Sequence, residues 1–409
     1  MADKTFTTKG FSSAALHAHN NLHPNSAHTT PIYASSTFVF DTAQQGMERF
    51  SGQQEGYVYS RWGNPTFADA ERVIEALETY EVKDDNGQPL QVKAILHASG
   101  QAAMTTLFMS NLSAGDKMLS HYSLYGGTHE LVTKVLKECG IEAIISDMRN
   151  ADEVEALLKQ DPAIKLVHIE TPANPTIQCI DIAAISAIAK KYNCIVSVDN
   201  TFATPYLQRP FALGADFVFH STTKFLNGHG TAIGGVLLGK DLDFMKTKAT
   251  KWHRLIGGSS NPFDAFLLLQ GLKTLEIRMD RHCANAKQVA QYLQQHPSVA
   301  HVNYNGLPTH PGFAITQKQM SQPGAMVSFE LEGGLDAGIK FINKLQMCIR
   351  AVSLGSVDTL ISHPASMTHY GVGAQERLQY GITDGLIRMS VGIESVEDII
   401  ADLEQALEG

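Results

Sequence analysis

The chain has 409 residues, of which 44% are hydrophobic and 18% charged, and carries a net charge of -9 at pH 7. That balance suits a globular protein with room for two domains and excludes the basic surface that nonspecific nucleic-acid binding requires. No stretch approaches the roughly 18 uninterrupted apolar residues of a membrane span, and the start, Met1-Ala2-Asp3-Lys4, has no apolar signal core. A cytoplasmic protein, free of membrane and nucleic acid, is expected.

Residues 1–66 hold few helix signals and many turn formers, among them Pro24, Pro31, Gly52, Gly56, Gly63 and Pro65. His17, His19, His23 and His28 lie close together but match no metal-ligand spacing, so no metal site is expected. Late in this stretch Tyr57, Tyr59, Arg61 and Trp62 cluster, a composition that disordered segments seldom carry. An extended arm docking on something, such as another subunit, is expected there. A helix is expected from Thr66, with Glu71, Val73, Ile74 and Leu77 at helical spacing.

A βα rhythm follows. Apolar runs predict strands at 92–97, 117–120, 142–146, 165–169, 195–199, 217–220 and 233–238, with helix-forming stretches between most of them. That pattern predicts an α/β fold with a large, mostly parallel seven-stranded sheet. Residues 265–293 predict one long helix, bent near Gly271. Beyond it, strands at 300–304, 326–331, 348–352 and 386–391, with helices at 336–345 and 396–407, predict a smaller α/β C-terminal domain with fewer, antiparallel strands. The five cysteines, Cys139, Cys179, Cys194, Cys283 and Cys348, are scattered and form no C-x-x-C pair, which predicts free thiols.

The chain is organised around the run 215–225. Its strand ends in Ser221, Thr222 and Thr223 and then Lys224, while the strand at 195–199 ends in Asp199. Open α/β sheets bind ligands at the carboxyl ends of their strands. An acid, a lysine and clustered hydroxyls suit pyridoxal phosphate: a Schiff-base lysine, an acid beside the ring nitrogen and donors for the phosphate. A solvated loop lysine is the plainer alternative. The S-x-x-K of serine acyl-enzymes also fits, but it needs a later K-T-G that is absent.

Three more strand ends add candidates. Gly100 and Gln101 open a helix, where backbone N–H groups favour an anion. Tyr125 beside Gly126 and Gly127 can lie flat on a ring or be an ordinary rim tyrosine. Asn174, in a turn between Pro172 and Pro175, can donate to a ring oxygen. Arg388 lies inside an apolar strand and needs a carboxylate, either a substrate's or that of an internal ion pair.

These residues fall in a recognisable set: Tyr-Ser-Arg-Trp-Gly-Asn-Pro-Thr at 59–66, Ser-Gly-Gln-Ala-Ala at 99–103, Leu-Tyr-Gly-Gly-Thr at 124–128 and Glu-Thr-Pro-Ala-Asn-Pro-Thr at 170–176. They continue with Val-Asp-Asn-Thr-Phe at 198–202, His-Ser-Thr-Thr-Lys at 220–224, Ser-Leu-Gly at 353–355 and His-Pro-Ala-Ser-Met-Thr-His at 363–369. With these motifs the chain resembles, over essentially its whole length, the Cys/Met-metabolism (trans-sulfuration) family of pyridoxal-phosphate enzymes. The resemblance implies the type I pyridoxal-phosphate fold and a homotetramer assembled as a dimer of dimers. It implies an N-terminal arm at 1–66 docking on the neighbouring subunit, a large cofactor-binding domain at 67–262 and a C-terminal domain at 263–409.

It also implies roles. Lys224 is similar to the Schiff-base lysine and proton shuttle, Asp199 to the pyridinium partner, and Tyr125 to the ring-stacking residue and acid for a γ leaving group. Gly100, Gln101, Ser221 and Thr223 resemble the phosphate cup, which Tyr59 and Arg61 would reach from the neighbouring subunit. Ser353 and Arg388 resemble the substrate-carboxylate site.

Within the family, residues 36–41, 278–283 and 363–369 are most similar to methionine γ-lyases. That implies γ-elimination of L-methionine to methanethiol, 2-oxobutanoate and ammonia. Gly127 stands where bacterial members of that group usually carry cysteine, and His253 at about the position of a lysine. A glycine after Tyr-Gly is common in synthases and sulfhydrylases. Acylated homoserine is therefore an alternative substrate, with γ-replacement by an O-acetyl- or O-succinylhomoserine sulfhydrylase or a cystathionine γ-synthase, as is cystathionine γ-lyase activity. An aminotransferase shares the lysine and aspartate but leaves the carbon skeleton intact. A non-catalytic binding protein of the same fold has no use for an intact Lys224 and Asp199.

Overall fold

A computed structural model of the chain describes residues 9–19, 26–368, 370, 373–379 and 381–408. His23 of the histidine cluster and His369 of the late motif lie outside the described residues. The seven strands of the large sheet are β1 (Lys93–His97), β2 (Lys117–His121), β3 (Glu142–Ser146), β4 (Ile164–Glu170), β5 (Ile195–Asp199), β6 (Phe217–His220) and β7 (Gly235–Gly239). Their order is β1-β7-β6-β5-β4-β2-β3. β3, β2, β4, β5 and β6 pair parallel, and β7 runs antiparallel to both β6 and β1. The mostly parallel sheet read from the sequence is therefore present, and the strand ends agree within about two residues.

Alternation along these strands sorts side chains onto two cores, because successive residues of a strand face opposite ways. Leu166, Phe217, Phe219 and Leu237 pack on one face with Ala103, Leu107 and Phe108 of the helix Gly100–Asn111. Val167, Ile169, Val196, Val198, Val218 and Val236 pack on the other, against Val73, Ile74 and Leu77 of the helix Pro65–Glu78. That second helix starts where the sequence places it, with Asn64 as N-cap accepting from the Thr66 N–H at 2.9 Å and Pro65 in its first turn. Asp199 and Glu170 share the first face with Phe219, as their register shows.

The smaller sheet comprises β8 (Val299–Asn303), β9 (Met326–Leu331), β10 (Ile349–Arg350), β11 (Leu360–Ser362) and β12 (Leu386–Ser390), in the order β10-β11-β12-β9-β8. All its pairings are antiparallel except that of β10 with β11. Ile387 and Met389 of β12 enter an apolar core shared with the helices Leu275–Gln295, Gly334–Lys344 and Val396–Leu407. The alternate residues, Arg388 between its partners Ser362 and Ser328, face away from that core.

Three expectations differ. The long helix is two, Pro262–Leu272 and Leu275–Gln295, and the break falls at Lys273 and Thr274 rather than at Gly271. Gly271 serves close packing instead: a Cβ there would sit 2.1 Å from the Asn227 carbonyl oxygen. The arm contains the helices Phe11–His17 and Ala43–Ser51, the latter capped by the Thr42 hydroxyl, which accepts from the Gln45 N–H at 3.1 Å. β11, three residues long, was not expected, and of residues 348–352 only Ile349 and Arg350 pair. All five cysteines are free thiols, four of them buried. Among the described residues no group of side chains could hold a metal ion, and no helix is long and apolar enough to cross a membrane.

Candidate active site

The carboxyl ends of β4, β5 and β6 open into a cavity of about 250 Å³ whose lining includes Gly100, Gln101, Tyr125, Asn174, Asp199, Ser221, Thr223, Lys224 and Arg388. Beyond it lies an outer chamber of about 740 Å³, which shares Tyr125, Asn174, Lys224 and Arg388 and adds Gly127 and Ser353. Ten of the twelve residues singled out from the sequence thus meet at one place. The other two, Tyr59 and Arg61, sit in the arm and line neither space. Tyr59 bridges Thr37, and Arg61 donates to the Arg254 carbonyl at 2.5 Å with its guanidinium over the Tyr59 ring.

Each group is placed by its strand end. Asp199 ends β5, and its Oδ1 accepts the Thr201 N–H at 3.0 Å. The Thr201 hydroxyl accepts the Ser221 N–H at 2.9 Å, so the ends of β5 and β6 are tied together. Burial drives the Asp199 carboxyl upward, and Thr201 and the nearby His220 oppose the rise. Glu170 ends β4 beside Asp199 in register. Burial drives its carboxyl upward as well, with the charge of Asp199 adding to the effect.

Lys224 lies in the turn after β6. Its Nζ donates to the Ser353 hydroxyl at 3.3 Å, and burial, reinforced by the Arg388 charge, draws it down to about 8. Arg388 reaches out of β12: Nη1 donates to Asn174 Oδ1 at 3.1 Å, and Nη2 to the carbonyls of Val352 and Ser353 at 2.8 and 2.9 Å. Its Nε is buried without a partner, and burial pulls the guanidinium down to about 10. Among the described residues no carboxylate pairs with it, so the internal ion pair weighed from the sequence is absent.

Two acids and two cations therefore line one cavity without bridging to each other, although buried charges are normally paired. The arrangement asks for an occupant that carries both signs of charge. At the other end of the cavity Ser99 caps the helix Gly100–Asn111, its hydroxyl accepting from the Ala102 N–H at 3.2 Å. A Cβ at Gly100 would meet the Ser221 Cβ at 3.1 Å and its Oγ at 3.2 Å, so only glycine leaves this cradle open. Helix N–H groups, Gln101, Ser221 and Thr223 surround it, a donor set that fits a phosphate. The Thr223 hydroxyl also braces Gly234, accepting its N–H at 3.1 Å and donating to its carbonyl at 3.2 Å. Anion cradle, amine, acid and a half-exposed tyrosine ring fit pyridoxal phosphate in size and charge.

Sequence reasoning missed two residues. Glu170 was quoted within its motif but given no role, although it ends a strand just as Asp199 does, and that position was the available signal. Thr201 carries no signal in spacing; its place shows only once β5 and β6 are side by side. The two departures noted in the sequence separate here. A Cβ at Gly127 would approach Tyr125 Cε1 at 2.7 Å and Gln101 Nε2 at 2.8 Å, so a side chain there would displace both. His253 lies outside the cavity, on the helix Thr250–Ile256, edge-on to His97 with ring centroids 4.7 Å apart.

Comparison with known proteins gives concordant results. The family model described as Cys/Met metabolism PLP-dependent enzyme matches residues 12–408. The L-methionine gamma-lyase of Fusobacterium nucleatum subsp. polymorphum is 46% identical, covering 98% of each chain, and that of Porphyromonas gingivalis is 44% identical, covering 100% of this chain and 99% of the relative. The crystal structure of cystathionine gamma synthase from Xanthomonas oryzae pv. oryzae, in complex with aminoacrylate and cysteine, superposes with a TM-score of 0.90 at 37% identity, covering 98% of each chain.

Proposed function

The chain belongs to the Cys/Met-metabolism family of pyridoxal-phosphate-dependent enzymes, and from that membership we propose that it catalyses γ-elimination on sulfur amino acids, converting L-methionine to methanethiol, 2-oxobutanoate and ammonia. The observation that carries this reading is the cavity in which Lys224, Arg388, Asp199 and Glu170 meet without neutralising each other. Methionine is a zwitterion and the cofactor carries a phosphate and a basic ring nitrogen, so both suit mixed, unpaired charge.

When bound, pyridoxal phosphate supplies an electron sink for negative charge at the substrate's Cα. Lys224 is its attachment point. Drawn down to about 8 by burial, the Lys224 amine would be a competent base near neutral pH and would move the proton from Cα. Asp199 would hold the ring nitrogen protonated, and Asn174 would donate to the ring oxygen. Tyr125 would cover the ring and would deliver a proton to the departing sulfur. Gly100, Gln101, Ser221 and Thr223 bind the phosphate. Arg388 and Ser353 hold the substrate carboxylate, the unpartnered Nε of Arg388 supplying a free donor.

The assembly reading rests on the arm. Tyr59 and Arg61 lie away from their own chain's cavity, while Val39, Met47, Phe50 and Leu255 expose large apolar surface. A cytoplasmic homotetramer, a dimer of dimers in which these two residues complete the neighbour's phosphate site, accounts for both. Residues 1–66 are then the docking arm, 67–262 the cofactor-binding domain and 263–409 the C-terminal domain. Mixing an Arg61→Ala variant with a Lys224→Ala variant should restore activity that neither has alone, because some hybrid sites draw intact residues from both chains. No restoration would remove the shared site.

γ-Replacement is the second reading, favoured by glycine at 127, where a side chain would displace Tyr125 and Gln101, and by the likeness to the Xanthomonas synthase. The same residues would serve, with a thiol entering through the outer chamber. Incubating the holoprotein with methionine, cystathionine and acylated homoserine, with and without sulfide, decides between them. Methanethiol from methionine alone supports elimination. Reaction only with an acylated homoserine plus a thiol overturns it in favour of replacement.

A further inference from the structure

Glu170 has no part in the chemistry above, yet its carboxylate faces the cavity and is 4% exposed. Both oxygens are engaged. Oε2 accepts the Tyr125 N–H at 2.8 Å, and Oε1 accepts the Asn174 N–H at 3.0 Å. These donors sit on separate loops, one after β2 and one after β4. Asn174 in turn braces Arg388 at 3.1 Å. One carboxylate thus links the loop carrying the ring-stacking tyrosine to the loop that aims the carboxylate-binding arginine.

The choice of an acid here is costly. Asp199 stands beside it in register, so two buried carboxyl groups repel, and no cation bonds to Glu170 among the described residues. Fixing one loop would need only a neutral side chain. Two amide N–H groups arriving from separate loops need two acceptor oxygens, which a carboxylate offers, and these two bonds favour its ionised form against the upward pull of burial. Asp would be shorter by one methylene and unable to reach both loops. An amide would present a donor to a donor at one of them.

We propose that Glu170 is a positioning residue that sets the tilt of Tyr125 over the cofactor ring and the reach of Arg388 toward the substrate carboxylate together, so that the two are aligned as one unit. The inference rests on the reading of the site given above.

The test uses holoenzyme carrying Glu170→Gln or Glu170→Asp. The visible circular dichroism per bound cofactor reports ring tilt, and kcat and KM for methionine report the two arms. The expected result is cofactor still bound, an altered visible circular dichroism signal, and kcat/KM down by about 100-fold, as misplacements of about 1 Å produce. Both constants should move: kcat falls through Tyr125 and KM rises through Arg388. A purely structural residue would lower the yield of folded protein and leave these values unchanged in what folds. Wild-type circular dichroism with wild-type kcat and KM in either variant overturns the inference. If the Gln variant fails to fold, the Asp variant decides on the same readouts. A wild-type protein that takes up no cofactor would instead sink the reading on which the inference stands.

Discussion

Below the large sheet Glu78 meets His220 at 2.5 Å and Asn200 at 3.0 Å, all three fully buried, and none of them lines the cavity. Above the same strand ends Asp199 and Glu170 are also buried, but their contacts are backbone N–H groups and Thr201, and the nearest cations bond to neutral partners. The acid underneath has its base; the acids above do not. A fold can satisfy a buried carboxylate internally when no ligand is intended. Where it brings both signs of charge to one cavity and leaves them apart, a ligand completes the set.

Four substitutions break or sharpen that contrast, in descending effect. On the proposed roles, Lys224→Ala takes away the attachment point and the proton carrier, so methanethiol formation should vanish together with the visible absorbance of bound cofactor. Retained turnover would end the comparison. Asp199→Asn keeps the shape but loses the charge proposed to face the ring nitrogen. Its kcat should drop by about 100-fold or more, the scale of losing a preorganised electrostatic contact, measured by product release at saturating methionine.

Arg388→Gln should raise KM for methionine by about 10- to 100-fold, the worth of charge-assisted hydrogen bonds to a carboxylate, with a smaller change in kcat. It also sharpens the electrostatics. Lys224 is held down to about 8, so covalent uptake of pyridoxal phosphate by the apoprotein should rise with pH through about 8, where the amine loses its proton. Removing the neighbouring guanidinium charge favours the protonated amine and should move that midpoint up. A stopped-flow absorbance series across pH reads both proteins.

Glu78→Gln acts from the underside and touches no residue that lines the cavity. It should cost about 1–3 kcal/mol of stability in urea unfolding, as leaving a buried hydrogen-bonding group unsatisfied does, while the folded fraction keeps kcat near wild type. A loss in kcat as large as that of Asp199→Asn would show that the two faces are not separate.

Much of this contrast was legible in the sequence, because the same physics writes both pattern and site. Apolar runs ending in a single polar residue gave the strands at 195–199 and 217–220 and put Asp199 and Lys224 at their carboxyl ends. Arg388 stood out as a cation inside an apolar strand, and the alternation of β12 explains it: Ile387 and Met389 enter the core while Arg388 turns to the cavity. What stayed hidden depends on contacts between distant segments. Glu170 gains meaning only when its oxygens meet N–H groups 45 residues upstream and 4 downstream. β11 is three residues long and was too short to announce itself by period. The helix break near Thr274 was assigned to Gly271, whose missing Cβ instead admits the Asn227 carbonyl. The composition of the arm suggested a docking segment, but the phosphate role of Tyr59 and Arg61 came only through the resemblance, and both residues lie outside their own chain's cavity.

The most direct test of the central claim is to incubate the apoprotein with pyridoxal phosphate, fix any covalent bond with borohydride, digest the chain and locate the added mass. The account predicts one label per chain, on Lys224, displaced from the protein when excess methionine is added before the borohydride. A label on another lysine, or none while the protein remains folded, would contradict it.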